Sequence, residues 1–170
     1  QVRVAKHRSL ARTGSGKTSL GRILTRTYTG YRGSIRLELK EEERGQSDEI
    51  ELKDVLPDHL RQHLLMVQQD VFIFDAGANF NVSFSDSEYS DEVIMEALDV
   101  VQAGDFISTH GGLDVPLGER GASLSVGEAQ LLAFARVAIH QPQMLILDEA
   151  TANVDSVTER KVQRAIETLL

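Results

Sequence analysis

The stretch Gly14-Ser15-Gly16-Lys17-Thr18 constrains this chain more than any other. Glycine permits backbone angles and close approaches that a side chain forbids, so a turn built on it can aim several N–H groups at one anion. Directly after it, Leu20, Ile23, Leu24 and Tyr28 recur at helical spacing. That spacing predicts a helix from Thr18 to about Tyr28, stopped by Gly30. A glycine turn that opens a helix sets the helix's positive end beside the turn, which suits a phosphate. The pattern is G-x-x-x-x-G-K-[ST], with Ala11 in the first place. Lys17 is then placed for the β- and γ-phosphates of a nucleotide, and the Thr18 hydroxyl for Mg2+. Gln1 to Leu10 is expected to supply the preceding strand, although Lys6, His7 and Arg8 interrupt its apolar run.

A second stretch, Met144 to Leu147, is apolar, strand-sized and ends in Asp148 and Glu149. In a parallel sheet, ligands bind at the carboxyl ends of strands. Asp148 suits Mg2+, directly or through water, and Glu149 suits a general base acting on water. Alone, the pair reads equally well as two solvated carboxylates; beside a phosphate turn, the metal and water reading is favoured. Between the two stretches, Ser125-x-x-Glu128 precedes a helix that is apolar nearly all round, through Leu131, Leu132, Phe134, Ala135, Val137 and Ile139 to His140, with Pro142 ending it. Ser125 and Glu128 have the spacing of a capping box. The same helix start could be offered to a phosphate, and physical reasoning alone does not choose between the two.

The other segments alternate between strand and helix. Ser34 to Leu39 reads as a strand, Glu41 to Glu49 as a charged loop or hairpin tip, and Asp58 to Leu64 as a short helix. Met66-Val67 and the strand-sized run Val71 to Phe74 flank Gln68-Gln69-Asp70, which reads as a strand end followed by a loop. Asp86 to Gly104 turns helical, with Val93, Ile94, Ala97, Leu98 and Val101 on one face. Gly111-Gly112 and Gly118 to Gly121 mark loops. A last helix starts near Asp155 or Ser156, with Ser156 and Glu159 as a capping box and Val162, Ala165, Ile166 and Leu169 inward. The alternation implies an α/β fold with a largely parallel sheet.

Composition bounds the rest. The 170 residues, 41% hydrophobic, suffice for one domain with an aliphatic core. A net charge of -8 argues against a sequence-independent nucleic-acid binder. The absence of Cys excludes disulfides and thiolate metal sites. No apolar run approaches a membrane helix in length. The chain opens at Gln1 in what reads as mid-domain sequence, without a signal peptide, so a piece of a longer protein is expected. His59 and His63 lie one turn apart without a third ligand and read as solvated, and His7, His110 and His140 as surface residues.

The order and spacing of these elements resembles the nucleotide-binding domain of ATP-binding cassette (ABC) transporters. The matching elements are the loop ending at Lys17, Gln69 in Gln68-Gln69-Asp70-Val71-Phe72, the signature Leu124-Ser125-Val126-Gly127-Glu128, and Met144 to Glu149. Ala152-Asn153-Val154-Asp155 is similar to the family's D-loop, and Gly118-Glu119-Arg120-Gly121 to the exporter loop that contacts the membrane domain. The block Leu124 to Asp155 looks closest to bacterial multidrug and lipid exporters.

The resemblance implies a single partial domain over 1–170. A P-loop NTPase core with a mainly parallel sheet would occupy about 1–74 and 141–170, and an inserted helical subdomain carrying the signature about 75–140. It implies ATP and Mg2+, with Arg12, Thr13, Gly14, Ser15, Gly16, Lys17, Thr18 and Ser19 around the nucleotide. Thr18, Gln69 and Asp148 would hold the metal; Lys17, Gln69 and Glu149 would be catalytic. Two such domains would sandwich two ATP molecules head to tail, with Ser125 and Gly127 touching the partner's ATP. A transmembrane domain, fused in the parent chain, would be driven between two access states at the cytoplasmic face of the inner membrane.

Two residues depart from the family's usual Leu-Ser-Gly-Gly-Gln: Val126 stands for the first Gly and Glu128 for the Gln. Glu128 adds negative charge where a partner's γ-phosphate would dock, so the alternative is a degenerate ATP-binding subunit of a heterodimeric exporter. The adenine-stacking aromatic is expected before Gln1 and the switch histidine past Leu170, so this piece alone is expected to hydrolyse ATP poorly. A soluble ABC ATPase of DNA repair would carry a long coiled coil, and one of translation two cassettes with basic linkers; neither is present. A nucleotide kinase would need an acceptor site and lid, and nothing from Thr29 to Phe74 suggests them.

Overall fold

The computed structural model describes residues 16–40, 47–68, 70–84, 89–148 and 156–169. Helix α1 (Lys17–Leu24) opens directly on Gly16. It is shorter than its apolar spacing predicts. The Thr25 hydroxyl donates to the carbonyls of Gly21 (3.1 Å) and Arg22 (3.2 Å), Arg26 turns left-handed at φ 54, and the Tyr28 N–H returns to Arg22 O at 3.0 Å. The chain has therefore left the helix before Gly30. Leu20 (53% exposed) and Tyr28 (56%) do not face the core; the buried residue of α1 is Gly21.

An antiparallel hairpin follows, β1 (Arg36–Lys40) with β2 (Ser47–Glu51), in which Leu37 stands opposite Ile50. Ser47 to Glu49, expected as loop, belongs to the second strand; the hairpin tip lies outside the described residues. Helix α2 (Pro57–His63) starts on a proline, which fits the first helical position because its missing N–H has no intrahelical use there. It runs straight into β3 (Leu64–Val67).

Strand β3 pairs in parallel with β4 (Met144–Leu147), Leu64 opposite Met144 and Val67 opposite Leu147. The Asp148 N–H extends the ladder to Val67 O at 3.0 Å. Among the described residues the expected largely parallel sheet is thus one parallel pair, beside a separate antiparallel one. The strand expected from Gln1 to Leu10 lies outside them.

Between β3 and β4 the chain forms α3 (Ala78–Ser83), α4 (Asp91–Val100), α5 (Gly104–Thr109) and α6 (Val126–His140); α7 (Ser156–Leu169) follows β4. Neither α3 nor α5 was expected, since six residues carry too little of a helical period to be legible. Val71 to Phe74 is apolar enough for a strand, yet it forms none. The fully buried Asn81 takes its backbone instead: Oδ1 accepts the Phe74 N–H (2.8 Å), and Nδ2 donates to the carbonyls of Phe74 (3.1 Å), Ala76 (3.1 Å) and Gly77 (3.0 Å). Gly77 is held by close approach, because a β-carbon there would stand 2.2 Å from Leu113 O.

Helix α6 is the centre of the larger core. Every residue from Gln130 to Val137 is buried, and the helix packs on α3, α4, α7 and β3. Its neighbours contribute Val67, Ile73, Val82, Ile94, Leu98 and Val162, each worth about 1.5–3 kcal/mol of burial. On α4, Ile94, Ala97 and Leu98 are buried as the spacing predicts, but Val93 faces outward. On α7, Val162 and Ala165 point inward as expected. A smaller core of Leu52, Leu60 and Leu64 joins Ile23 and Leu24 of α1 to Ile146 of β4. Among the described residues no helix is long and apolar enough to cross a membrane.

Candidate functional site

Gly16 adopts φ 87, a left-handed conformation that side chains rarely take. A β-carbon there would meet nothing within 4 Å, so the backbone angle, not space, calls for glycine. Gly16 has no side chain with which to cap α1, and the first turn carries no acidic residue. Among the described residues no N-cap side chain closes the helix start, and its positive end, at Lys17, Thr18 and Ser19, is of the kind that suits an anion. Thr18 and Ser19 are exposed and Lys17 is half-buried.

The way α1 lies on the strands fixes where that end points. A β-carbon on Gly21 would stand 2.8 Å from Met66 Cε and 3.5 Å from Ile146 Cγ2, so the helix rests directly on the third residues of β3 and β4. Ile23 and Leu24, further along α1, pack instead on the small core of Leu52, Leu60 and Leu64, at the amino end of β3. The helix therefore runs against the strand direction. Lys17 precedes Gly21 by about 6 Å of helix, and Asp148 follows Ile146 by about 7 Å of strand. Both arrive at the carboxyl end of the parallel pair. Asp148 is buried there, 9% exposed. A carboxylate, a threonine hydroxyl and the opening turn of a helix supply oxygen donors and N–H groups of the kind that fit a magnesium triphosphate. Arg12, Thr13, Gly14, Ser15, Gln69 and Glu149, and the D-loop residues Ala152 to Asp155, lie outside the described residues.

Ser125 and Gly127 stand at the head of α6. The capping box read from the sequence is formed: the Glu128 N–H donates to Ser125 Oγ (3.3 Å), while Glu128 Oε2 accepts from the Ser125 N–H and hydroxyl (2.8 Å each). Ser125 and Val126 are exposed and Gly127 is buried. The Glu128 carboxylate is thus engaged by its own helix.

Sequence reasoning missed Arg136, whose signal was a lone charge within an apolar helix. Its Nε donates to Asn81 O (2.6 Å) and its Nη2 to Phe72 O (2.9 Å), with the guanidinium 4.8 Å from the centre of the Phe84 ring. Burial lowers its pKa to about 10, so it remains charged at neutral pH. Above it, Phe72 and Phe84 are exposed and meet Phe74 edge to face, at 4.9 and 6.2 Å between ring centres. Two histidines expected on the surface are half-exposed and make defined contacts there. His140 stacks on Phe84 at 6.0 Å and meets Tyr89 edge on, because the end of α6 packs against that aromatic group. His110 lies against two backbone carbonyls, those of Phe106 and Ser123. His59 and His63 are exposed on α2.

A family model described as ABC transporter matches residues 10–152. The ABC transporter ATP-binding protein YknV of Bacillus subtilis is 40% identical over 159 residues, covering 93% of this chain and 25% of that protein. An ATP-dependent lipid A-core flippase of Thiobacillus denitrificans is 39% identical over 160 residues, covering 93% of this chain and 26% of that protein. A solved structure of a bacterial Atm1-family ABC exporter with ATP bound superposes with a TM-score of 0.76 at 29% identity, over 92% of this chain and 26% of that one. The chain spans about a quarter of the length of the curated relatives it matches. The chain belongs to the ABC transporter family, whose ATP-binding domain implies a P-loop NTPase fold, and its described residues form packed helices and small sheets.

Proposed function

We propose that this domain binds ATP with Mg2+ and hydrolyses it to power export by a membrane transporter. The observation that carries this reading is the Gly21 contact with Met66 and Ile146, which sends the start of α1 and Asp148 to one end of the parallel pair. Lys17 and the N–H groups opening α1 hold the β- and γ-phosphates, together with Arg12 to Ser15. Thr18, Gln69 and Asp148 hold the metal, which when bound supplies charge neutralisation to the phosphates. Glu149 orients a water and accepts its proton as the water oxygen attacks the γ-phosphorus; the bond to the bridging oxygen breaks and ADP leaves.

Ser125 and Gly127 contact the ATP of a second, head-to-tail domain, and the helices from about 75 to 140 form the subdomain that carries them. Exposed Phe72, Phe74 and Phe84, with the Gly118–Gly121 loop, offer a surface to the membrane domain. In this reading the assembly works at the cytoplasmic face of the inner membrane. The relatives include ATP-dependent flippases, which favours turnover over a subunit that only holds ATP.

The test is phosphate release and MgATP affinity of the full-length parent in lipid. Lys17→Ala is expected to weaken MgATP by about 10- to 100-fold. Glu149→Gln is expected to keep binding and lose turnover. Unimpaired turnover in Glu149→Gln would overturn the assignment.

A further inference from the structure

His110 ends α5, and both of its ring nitrogens face carbonyl oxygens. Nδ1 lies 2.8 Å from Phe106 O, which also accepts the His110 backbone N–H at 2.9 Å; Nε2 lies 3.1 Å from Ser123 O. A carbonyl oxygen only accepts. A neutral imidazole has one N–H and one lone pair, so in either tautomer one contact sets lone pair against lone pair. Only the imidazolium donates to both.

We propose that His110 is a proton-dependent positioning residue, which as imidazolium staples the end of α5 to Ser123 and so fixes the turn that delivers Ser125 to the head of α6. The turn's other hydrogen bonds do not titrate: the Ser123 hydroxyl and N–H donate to Leu117 O (2.7 and 3.4 Å), the Ala122 N–H to Glu119 O (3.2 Å), the Gly121 N–H to Gly118 O (2.9 Å) and the Leu124 N–H to Gly121 O (2.8 Å). From α5 the ring meets Phe106, edge on at 5.9 Å, and from the 117–123 loop the Ser123 carbonyl. From α6 the charged group acting on it is Glu128.

The bonds to Phe106 and Ser123 raise the ring's pKa above the ordinary 6.5; partial burial opposes them, and the Glu128 charge adds to the rise. The staple is therefore complete below pH 6.5 and is lost as pH rises through the folded value. Losing it also removes the positive charge that offsets Glu128, the carboxylate engaged by Ser125.

The effect on turnover rests on the ATPase reading above; the staple does not. In the full-length parent, with histidine rings labelled at Cε1, the His110 signal is identified by its loss in His110→Gln. Its midpoint is expected above pH 6.5, lower in Glu128→Gln, where His110 itself is intact. A midpoint at or below 6.5 overturns the proposal. Between pH 6 and 8.5, the ratio of wild-type to His110→Gln turnover is expected to fall by about threefold, since glutamine neither titrates nor bridges both carbonyls. A constant ratio overturns the positioning role. Wild-type protein without turnover at any pH would refute the ATPase reading, and the titration would still decide the staple.

Discussion

Gly21 of α1 lies so close to Met66 of β3 that a β-carbon on the glycine would stand 2.8 Å from the methionine methyl. The atom in the way is the end of a flexible side chain, while the backbones behind it are fixed by the parallel pairing of β3 with β4. Gly21→Ala is therefore expected to change stability by less than about 1 kcal/mol, because Met66 can turn aside and alanine favours the helix. Gly21→Leu has no such escape and is expected to cost about 1–3 kcal/mol. It should also weaken MgATP, by lifting α1 off the strands that carry Asp148. Urea unfolding and nucleotide titration of the two variants check this; equal effects would show that the contact is unimportant.

Gly16→Ala tests the turn itself. The left-handed backbone at φ 87 is expected to cost alanine about 1 kcal/mol, with loss of MgATP affinity as the first N–H groups of α1 are re-aimed. Calorimetric titration measures the affinity, and thermal melts separate it from global stability.

Arg136→Lys keeps the charge but loses the planar fork that reaches Asn81 O and Phe72 O together. It is expected to cost about 2–4 kcal/mol, since a buried ammonium replaces a well-bonded guanidinium. Chemical denaturation gives the number, and wild-type stability in the lysine variant would sink the account of the 72–77 segment.

Gln130 is fully buried on α6, and neither end of its amide has a hydrogen-bond partner among the described residues. Gln130→Leu removes two unsatisfied polar atoms at similar volume. It is expected to stabilise the domain by about 1 kcal/mol in denaturant unfolding. A loss of that size would mean that the amide has a partner in the assembled protein.

Much of the local structure was legible because it repeats. The fifteen residues of α6 are apolar nearly all round, the apolar positions of α7 recur at helical spacing over fourteen, and Ser125 with Glu128 announced the cap that formed. The parallel partner of Met144 to Leu147 could not be named, since an apolar run says that a strand is buried and not beside what. Val71 to Phe74 shows the same limit: the run is strand-sized, yet it follows a strand end as loop, and the Asn81 side chain supplies its backbone bonds. The end of α1 was misplaced because Thr25 bonded back to the helix and Arg26 turned left-handed, both ahead of the glycine that reads as the stop.

The sequence by itself determined which residue types are offered to a phosphate and a metal, because glycine spacing, a lysine and strand-end carboxylates are chemistry written in residue types. Only the tertiary structure decided how α1 lies on β3 and β4, and that His110, Asn81 and Arg136 join segments distant along the chain. Those relations depend on the direction in which a helix crosses a strand and on which carbonyl a buried donor reaches. Neither is carried by any periodicity along the chain.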